Sequence, residues 1–354
     1  MKKIMGLVSL LLALALLLCA CGEPSVKFYE ITGENAWAVF PMNKAPVKTV
    51  RAGGKWFSLT GRYLHDSFSL SVSEDYNGLN EVYSVSGVDI WFFEAQGDFA
   101  VWSEESAEKL RFMVYNAEGG EAKEIFSVSA AAGFSPANVG IYDGNVYFEY
   151  IDYAAKSAAV MRYELETGEL TRFYELEYLG EYSCTSLSVD GGELLTSVGK
   201  AGNAKLIKIN LDSGAHESFA LSPSVSVVYA CAHDTAQGGL ALYYRDKDGN
   251  EHIGMVNTKN GKIKNVFTFE KNVYAYHDTL EFYGGHLYWV NQVNASGNVA
   301  DHYRFVDYDC GSDTADEYLR TFSFSVYEGG IVLLSFNTVA YDAIYLTEID
   351  FGGQ

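Results

Sequence analysis

Residues 143–150, DGNVYFEY, open with a turn dipeptide and continue with apolar and aromatic residues at both odd and even positions. This reads as a tight turn followed by a β-strand. Near-copies return along the chain as QGDFAVW, GGELLTS, GGLALYY, GGHLYWV and GGIVLLS. The glycines that open these strands are Gly54, Gly97, Gly144, Gly192, Gly239, Gly285 and Gly330, spaced 43 to 48 residues apart. The second residue after each (Trp56, Phe99, Val146, Leu194, Ala241, Leu287, Val332) is apolar every time. A strand-rich unit repeating at this period is the sequence signature of a propeller blade.

A second glycine follows 22 to 26 residues after the first in six of the units, inside polar turns such as NAEGGE, LETGEL and TKNGKI. Glycine supplies the positive φ of a tight hairpin, and the neighbouring Asn or Asp supports the turn. Each unit therefore reads strand, short turn, strand, longer loop, strand, hairpin, strand. The seventh unit runs out at Gln354, just past its expected hairpin glycine Gly352, so its outermost strand is missing there. VKFYEI (residues 26–31) matches TRFYEL (residues 171–176), a fourth strand, and is expected to fill that gap. Joining the two ends of the chain would remove the open strand edges. The expected fold is all-β: a seven-bladed β-propeller of four-stranded antiparallel blades, closed by an N-terminal strand completing the last blade. A solenoid would need shorter rungs and would not return its first strand to its last unit. Residues 26–354 form one domain on this reading, and a chain of 354 residues with 48% hydrophobic content can bury its core.

The N-terminus carries Lys2 and Lys3, then the apolar run IMGLVSLLLALALLL, then LCACGEP. The charged and apolar parts read as a secretory signal. Leu18-Cys19-Ala20-Cys21 resembles a bacterial lipobox, which implies a signal peptide over residues 1–20, a lipidated Cys21 and a short linker over 21–25. The implied location is the extracytoplasmic side of a bacterial cell membrane, with the lipid bilayer as partner through Cys21. The alternative is an ordinary secretory peptide. The repeat units, with Tyr-rich strands such as NVYFEY and HLYWV followed by MRYELETGEL, resemble bacterial lipoprotein propellers, distantly similar to YWTD-type and TolB-type propellers. LYWV (residues 287–290) lacks the Thr-Asp of the receptor motif, so the resemblance implies the fold and no receptor function.

The formal charge of −21 repels phosphate backbones and excludes nucleic acid as a partner. Cys184, Cys231 and Cys310 remain after the signal region, an odd number that gives no disulfide framework. Cys184 and Cys231 each lie eight residues before their blade's glycine, at equivalent innermost-strand positions.

In such a meander the short turns and hairpins share one face, and the longer connections share the other. Binding residues concentrate on long loops held by a rigid scaffold. The candidates from these loops are Trp37, Tyr63, His65, Tyr153, Tyr178, Tyr182, Arg245, Tyr274, Tyr276, His277, Asp278, Asn291, Gln292 and Tyr341. VYAYHD (residues 273–278) is the densest group, with ring faces for stacking and polar groups for a sugar or peptide. The competing reading of each loop tyrosine is a plug packed between blades.

No G-x-S-x-G, no H-E-x-x-H, no recurrent Asp box and no metal-ligand spacing among the seven histidines is present. DKDG (residues 246–249) lacks the ligand order of a Ca²⁺ loop and reads as a polar turn. No cofactor or metal is expected, and no catalytic residue can be named. The expected function is a membrane-anchored binding or scaffold module for a peptide, protein or glycan. The alternatives are a polysaccharide-active lyase or hydrolase, whose carboxylates would meet only in three dimensions, and a structural envelope component.

Overall fold

The computed structural model describes residues 25–32, 34–41, 45–62, 67–75, 80–90, 92–129, 139–183, 186–200, 202–270, 273–275, 279–293, 302–337 and 343–351. Seven sheets form seven blades, covering residues 46–86, 93–129, 139–176, 186–220, 225–268, 273–319 and 321–350. Within each blade consecutive strands pair antiparallel from the innermost outward. In blade six the innermost position is shared by Val273–Ala275 and Glu281–Tyr283, both paired to His286–Val293.

The repeat glycines earn their positions in two ways. Gly144 has φ 70°, a left-handed conformation that suits glycine in the two-residue turn between Val139–Tyr142 and Asn145–Asp152. Gly239 begins a strand, and a Cβ there would sit 2.0 Å from the Phe282 ring of the next blade.

Seven apolar clusters hold the ring, one between each pair of neighbouring blades. They explain why the strands are apolar at both parities. Val146 and Phe148 turn toward blade two, with the Phe148 ring 4.6 Å from Phe112, while Tyr147 turns toward blade four. Each middle strand is thus buried on both faces, as in a parallel sheet covered twice. The last cluster packs Trp56 of blade one on Val332, Leu334 and Leu346 of blade seven, which closes the circle.

The closing strand differs from the expected one. Ala38–Pro41, not residues 26–31, pairs antiparallel with Ala343–Asp350 as the outermost strand of blade seven. Ser25–Glu30 instead adds a fifth strand to blade six, parallel to Thr314–Leu319. Three contacts hold it there: Tyr29 stacks on Tyr318 at 5.0 Å, Glu30 pairs with Arg320, and Ile31 is buried between blades six and seven. VKFYEI has the character of an outer strand and occupies an outer edge in the direction of a fourth strand. AVFP is only four residues long and carries a proline, so it gives little strand signal. Its Ala38 and Phe40 nevertheless pack against the seven–one cluster, and a proline is tolerated at an edge.

Candidate functional site

The innermost strand of every blade runs from the long-loop face to the short-turn face, and together the seven surround an axial channel of about 1270 Å³. Its wall is largely apolar and aromatic, with Phe92, Phe93, Phe282 and Phe324 contributing rings. Set into this wall are Lys48, Glu94, Asp190, His233, Glu281 and Glu328, from six different blades.

The charged residues form two groups. Midway along the channel, Lys48 of blade one donates to the Phe324 carbonyl of blade seven at 2.8 Å. Glu281 of blade six shares this region. Burial pushes its carboxyl up to about 7; Lys48 opposes that shift, Glu94 of blade two adds to it, and the Val326 backbone N–H opposes it. At the short-turn mouth, Asp190, Asp234 and Glu328 surround Tyr283, whose hydroxyl is raised by burial and then by these three negative charges.

Two of the mouth acids, Asp190 and Asp234, are also structural. Asp190 Oδ2 accepts from the Thr235 backbone N–H at 2.8 Å and from its hydroxyl at 2.7 Å. Asp234 accepts from the Gly285 N–H at 3.3 Å, and the Tyr283 hydroxyl donates to the Glu328 carbonyl at 3.4 Å. Each of these residues ends an innermost strand or lies beside that end, and each reaches the first turn of the following blade. His233 lines the channel beside Ser188, with Nδ1 3.0 Å from the Ser188 hydroxyl, and its burial lowers the imidazole pKa.

Two buried glutamates sit on second strands away from the channel. Glu104 accepts from the Trp102 indole at 2.8 Å and pairs with Arg111 at 2.6 Å. Glu149 is equally buried but accepts only from the Thr196 hydroxyl, and burial pushes it up to about 8. Cys231, on an innermost strand near Glu149, has its thiol pushed up to about 12 by burial. That keeps it a thiol rather than a nucleophilic thiolate.

Of the described loop residues singled out from the sequence, all but Trp37 lie around the long-loop face. Trp37 instead leads into Ala38–Pro41 on the outer edge of blade seven, its backbone N–H bonded to the Leu346 carbonyl at 2.7 Å. Trp37 is 58% exposed and lies 5.6 Å from Trp56. Tyr153 and Tyr178 meet edge to face at 6.5 Å and pack on the cluster between blades three and four. The Tyr182 ring lies 4.3 Å beneath the Lys200 ammonium. Arg245 pairs with Glu251 at 2.7 Å over the Tyr229 ring. Asn291 is buried and accepts from the Trp289 indole at 2.7 Å, and Gln292 pairs with Tyr303 and with Tyr274 of the short strand Val273–Ala275. Tyr63, His65, Tyr276, His277, Asp278, Tyr341 and Cys21, the expected lipidation site, lie outside the described residues. The DKDG segment is a turn, with the Asp246 carboxylate accepting from the Asp248 and Asn250 N–H groups at 2.9 Å each and from His252 at 3.0 Å.

Reasoning from loops therefore missed the channel charges. A signal for them exists in VKTVRAGG, FEAQG and LEFYGG, where an ionisable residue interrupts an innermost strand a few positions before the blade glycine.

The architecture defines a seven-bladed β-propeller with a ligand-sized axial channel. It is similar to the propeller domain of the Trilobed protease from Pyrococcus furiosus, which has an open velcro topology, at 9% identity and a TM-score of 0.57 over 88% of this chain and 96% of that one. It is also similar to YCF48 bound to a D1 peptide, at 10% identity and a TM-score of 0.55 over 94% of this chain and 100% of that one. A prolyl endopeptidase shares 9% identity and a TM-score of 0.55 over 88% of this chain, which spans 51% of that longer enzyme. At such identities the likeness is one of fold alone. No protein-family model matches the chain, and no curated protein matches its sequence significantly.

Proposed function

We propose that this chain is an extracytoplasmic lipoprotein whose propeller binds a peptide, protein or glycan in its axial channel. The observation that carries the reading is the channel itself: about 1270 Å³, walled by all seven innermost strands, with aromatic rings and a few fixed polar groups. That volume and mixed lining are what small-molecule and short-chain ligand sites require. The lipobox-like Leu18-Cys19-Ala20-Cys21 supports the anchoring half of the reading. The test is to offer mixed peptide and glycan pools to the full chain in detergent and identify bound species by native mass spectrometry. Gln96 lines the channel from an exposed position, and Gln96→Trp should block capture with the circular dichroism spectrum unchanged. Equal capture by both proteins would overturn binding in the channel.

A second reading, a polysaccharide-active enzyme, is favoured by Glu281 and Glu94. Two carboxyl groups facing one cavity, one of them titrating at about 7, are the components of acid–base cleavage of a glycosidic bond. Release of reducing ends from a polysaccharide panel, abolished by Glu281→Gln, would establish it.

A further inference from the structure

Resting on the reading that the channel binds a ligand, we infer that its ligand is cationic, presenting amine or guanidinium groups to the carboxylates of the channel wall and of its short-turn mouth. The charge balance of the wall carries this. Among the described lining residues four are carboxylic, Glu94, Asp190, Glu281 and Glu328, and one is basic, Lys48. The Lys48 ammonium is already engaged by the Phe324 carbonyl, and Glu281 and Glu94 act on the same region. Lys48 is thus held within the wall, in the same region as Glu94 and Glu281. An anionic ligand would meet carboxylates at the mouth and the Glu94 carboxylate midway, at a cost that low-dielectric walls enlarge.

The mouth is built as well as charged. Asp190 and Asp234 are held by backbone N–H groups of the following blades, so they present negative charge in fixed positions. Glu328 joins them around the Tyr283 ring. Fixed carboxylates beside aromatic faces combine the two attractions open to an ammonium or guanidinium group, direct pairing and attraction to the ring quadrupole. The ring faces deeper in the channel would cover the apolar stem of a lysine or arginine side chain.

A protein of charge −21 attracts cations everywhere, so the test must separate the channel from the surface. Acetylated, amidated tri-lysine and tri-glutamate are titrated calorimetrically into the full chain in detergent at physiological salt. Tri-lysine should bind at least about tenfold more tightly than tri-glutamate. The double variant Glu94→Gln/Glu281→Gln should weaken tri-lysine about tenfold, while the outer-surface control Glu121→Gln/Glu169→Gln should weaken it by less than about twofold. Equal losses in the two variants would assign the binding to surface charge and overturn the inference. Tri-glutamate binding that Gln96→Trp abolishes would also overturn it while leaving the channel reading standing. Tri-lysine binding that is indifferent to both Gln96→Trp and the channel variant would remove the inference and count against the channel reading itself.

Discussion

Asp190, the last residue of the innermost strand of blade four, accepts both the backbone N–H and the hydroxyl of Thr235 in the first turn of blade five. It is one of a series of latches that pass around the short-turn face from blade to blade. Asp234 to Gly285 and Tyr283 to Glu328 continue it. Sheet hydrogen bonds hold strands within a blade, whereas these bonds set the position of one blade against the next. Asp190→Ala would leave the Thr235 N–H without its carboxylate, and hydrogen bonds to charged groups contribute about 1.5–3 kcal/mol each. The expected outcome is a lower midpoint of thermal unfolding with native secondary structure retained. Asp190→Asn, which keeps an acceptor oxygen, should recover part of the loss. An Asp190→Ala protein as stable as the parent would show that apolar packing alone sets the blade spacing.

The unpaired glutamate predicts the pH dependence. Glu149 has its carboxyl pushed from 4.5 to about 8 by burial, against the opposing bond from Thr196. The folded chain therefore keeps this proton over a range where the unfolded chain has lost it. Stability falls as pH rises from about 4.5 to about 8 and then levels off. Glu281, raised to about 7, acts in the same direction. Asp246 acts in the opposite sense: burial raises its pKa, but bonds from His252, Asn250 and Asp248 outweigh this and bring it to about 2. Its contribution is present above its ordinary value of 3.8 and is lost as the pH falls toward 2. Denaturant midpoints from pH 4.5 to 9 should decline for the parent and decline less for Glu149→Gln, with the variant the more stable at pH 8. A variant whose pH profile parallels the parent would mean that Glu149 is ionised in the folded chain.

The N-terminal segment offers a contrast between neighbouring residues. Ile31 is 3% exposed in the cluster between blades six and seven, where it meets Val290, Phe305 and Leu333, while Phe28 on the added strand is 60% exposed. Ile31→Ala should cost about 2–4 kcal/mol through lost burial and the cavity left behind. Phe28→Ala should cost less than about 1 kcal/mol, as a surface change does. Chemical denaturation of the two variants reads this directly. Equal costs would mean that the added strand, not the Ile31 plug, ties the N-terminus to the ring.

That segment also marks where sequence reading succeeds and where it stops. The blade period was legible because every blade repeats a local instruction, a glycine turn before a strand whose two faces are both buried. The identity of the closing strand was not, because AVFP gains its place from Trp56, Leu334 and Leu346, far away in the chain. Which channel residues meet was illegible for the same reason. Lys48 and Phe324, which share a hydrogen bond, are 276 residues apart, and no local pattern announces that Glu94 and Glu281 face the same space. The loop aromatics were legible as residues but not as roles: Tyr153 and Tyr178 pack on each other and on an inter-blade cluster.

Attachment and orientation supply the last prediction. Ser25 pairs with Thr314, the first residue after the hairpin turn of blade six, so the chain enters the ring at the hairpin face. This holds although the strand joins blade six rather than blade seven, because it runs in the direction of a fourth strand. Three residues, Gly22, Glu23 and Pro24, separate Cys21 from Ser25, and the four extended steps from Cys21 to Ser25 span at most about 14 Å. A lipid on Cys21 would therefore hold the hairpin face, and with it the short-turn mouth of the channel, near the bilayer and turn the long loops outward. Ser213 is exposed in a hairpin-face turn and Asp248 is exposed in a long-loop-face turn. In liposomes carrying the lipidated chain, a bulky maleimide should label Asp248→Cys several-fold faster than Ser213→Cys, relative to the parent background. Cys21→Ser, which removes the attachment point, should abolish membrane pelleting and equalise the two rates. Faster labelling at Ser213→Cys, or equal rates in the lipidated chain, would overturn the orientation. Pelleting that survives Cys21→Ser would overturn the anchor.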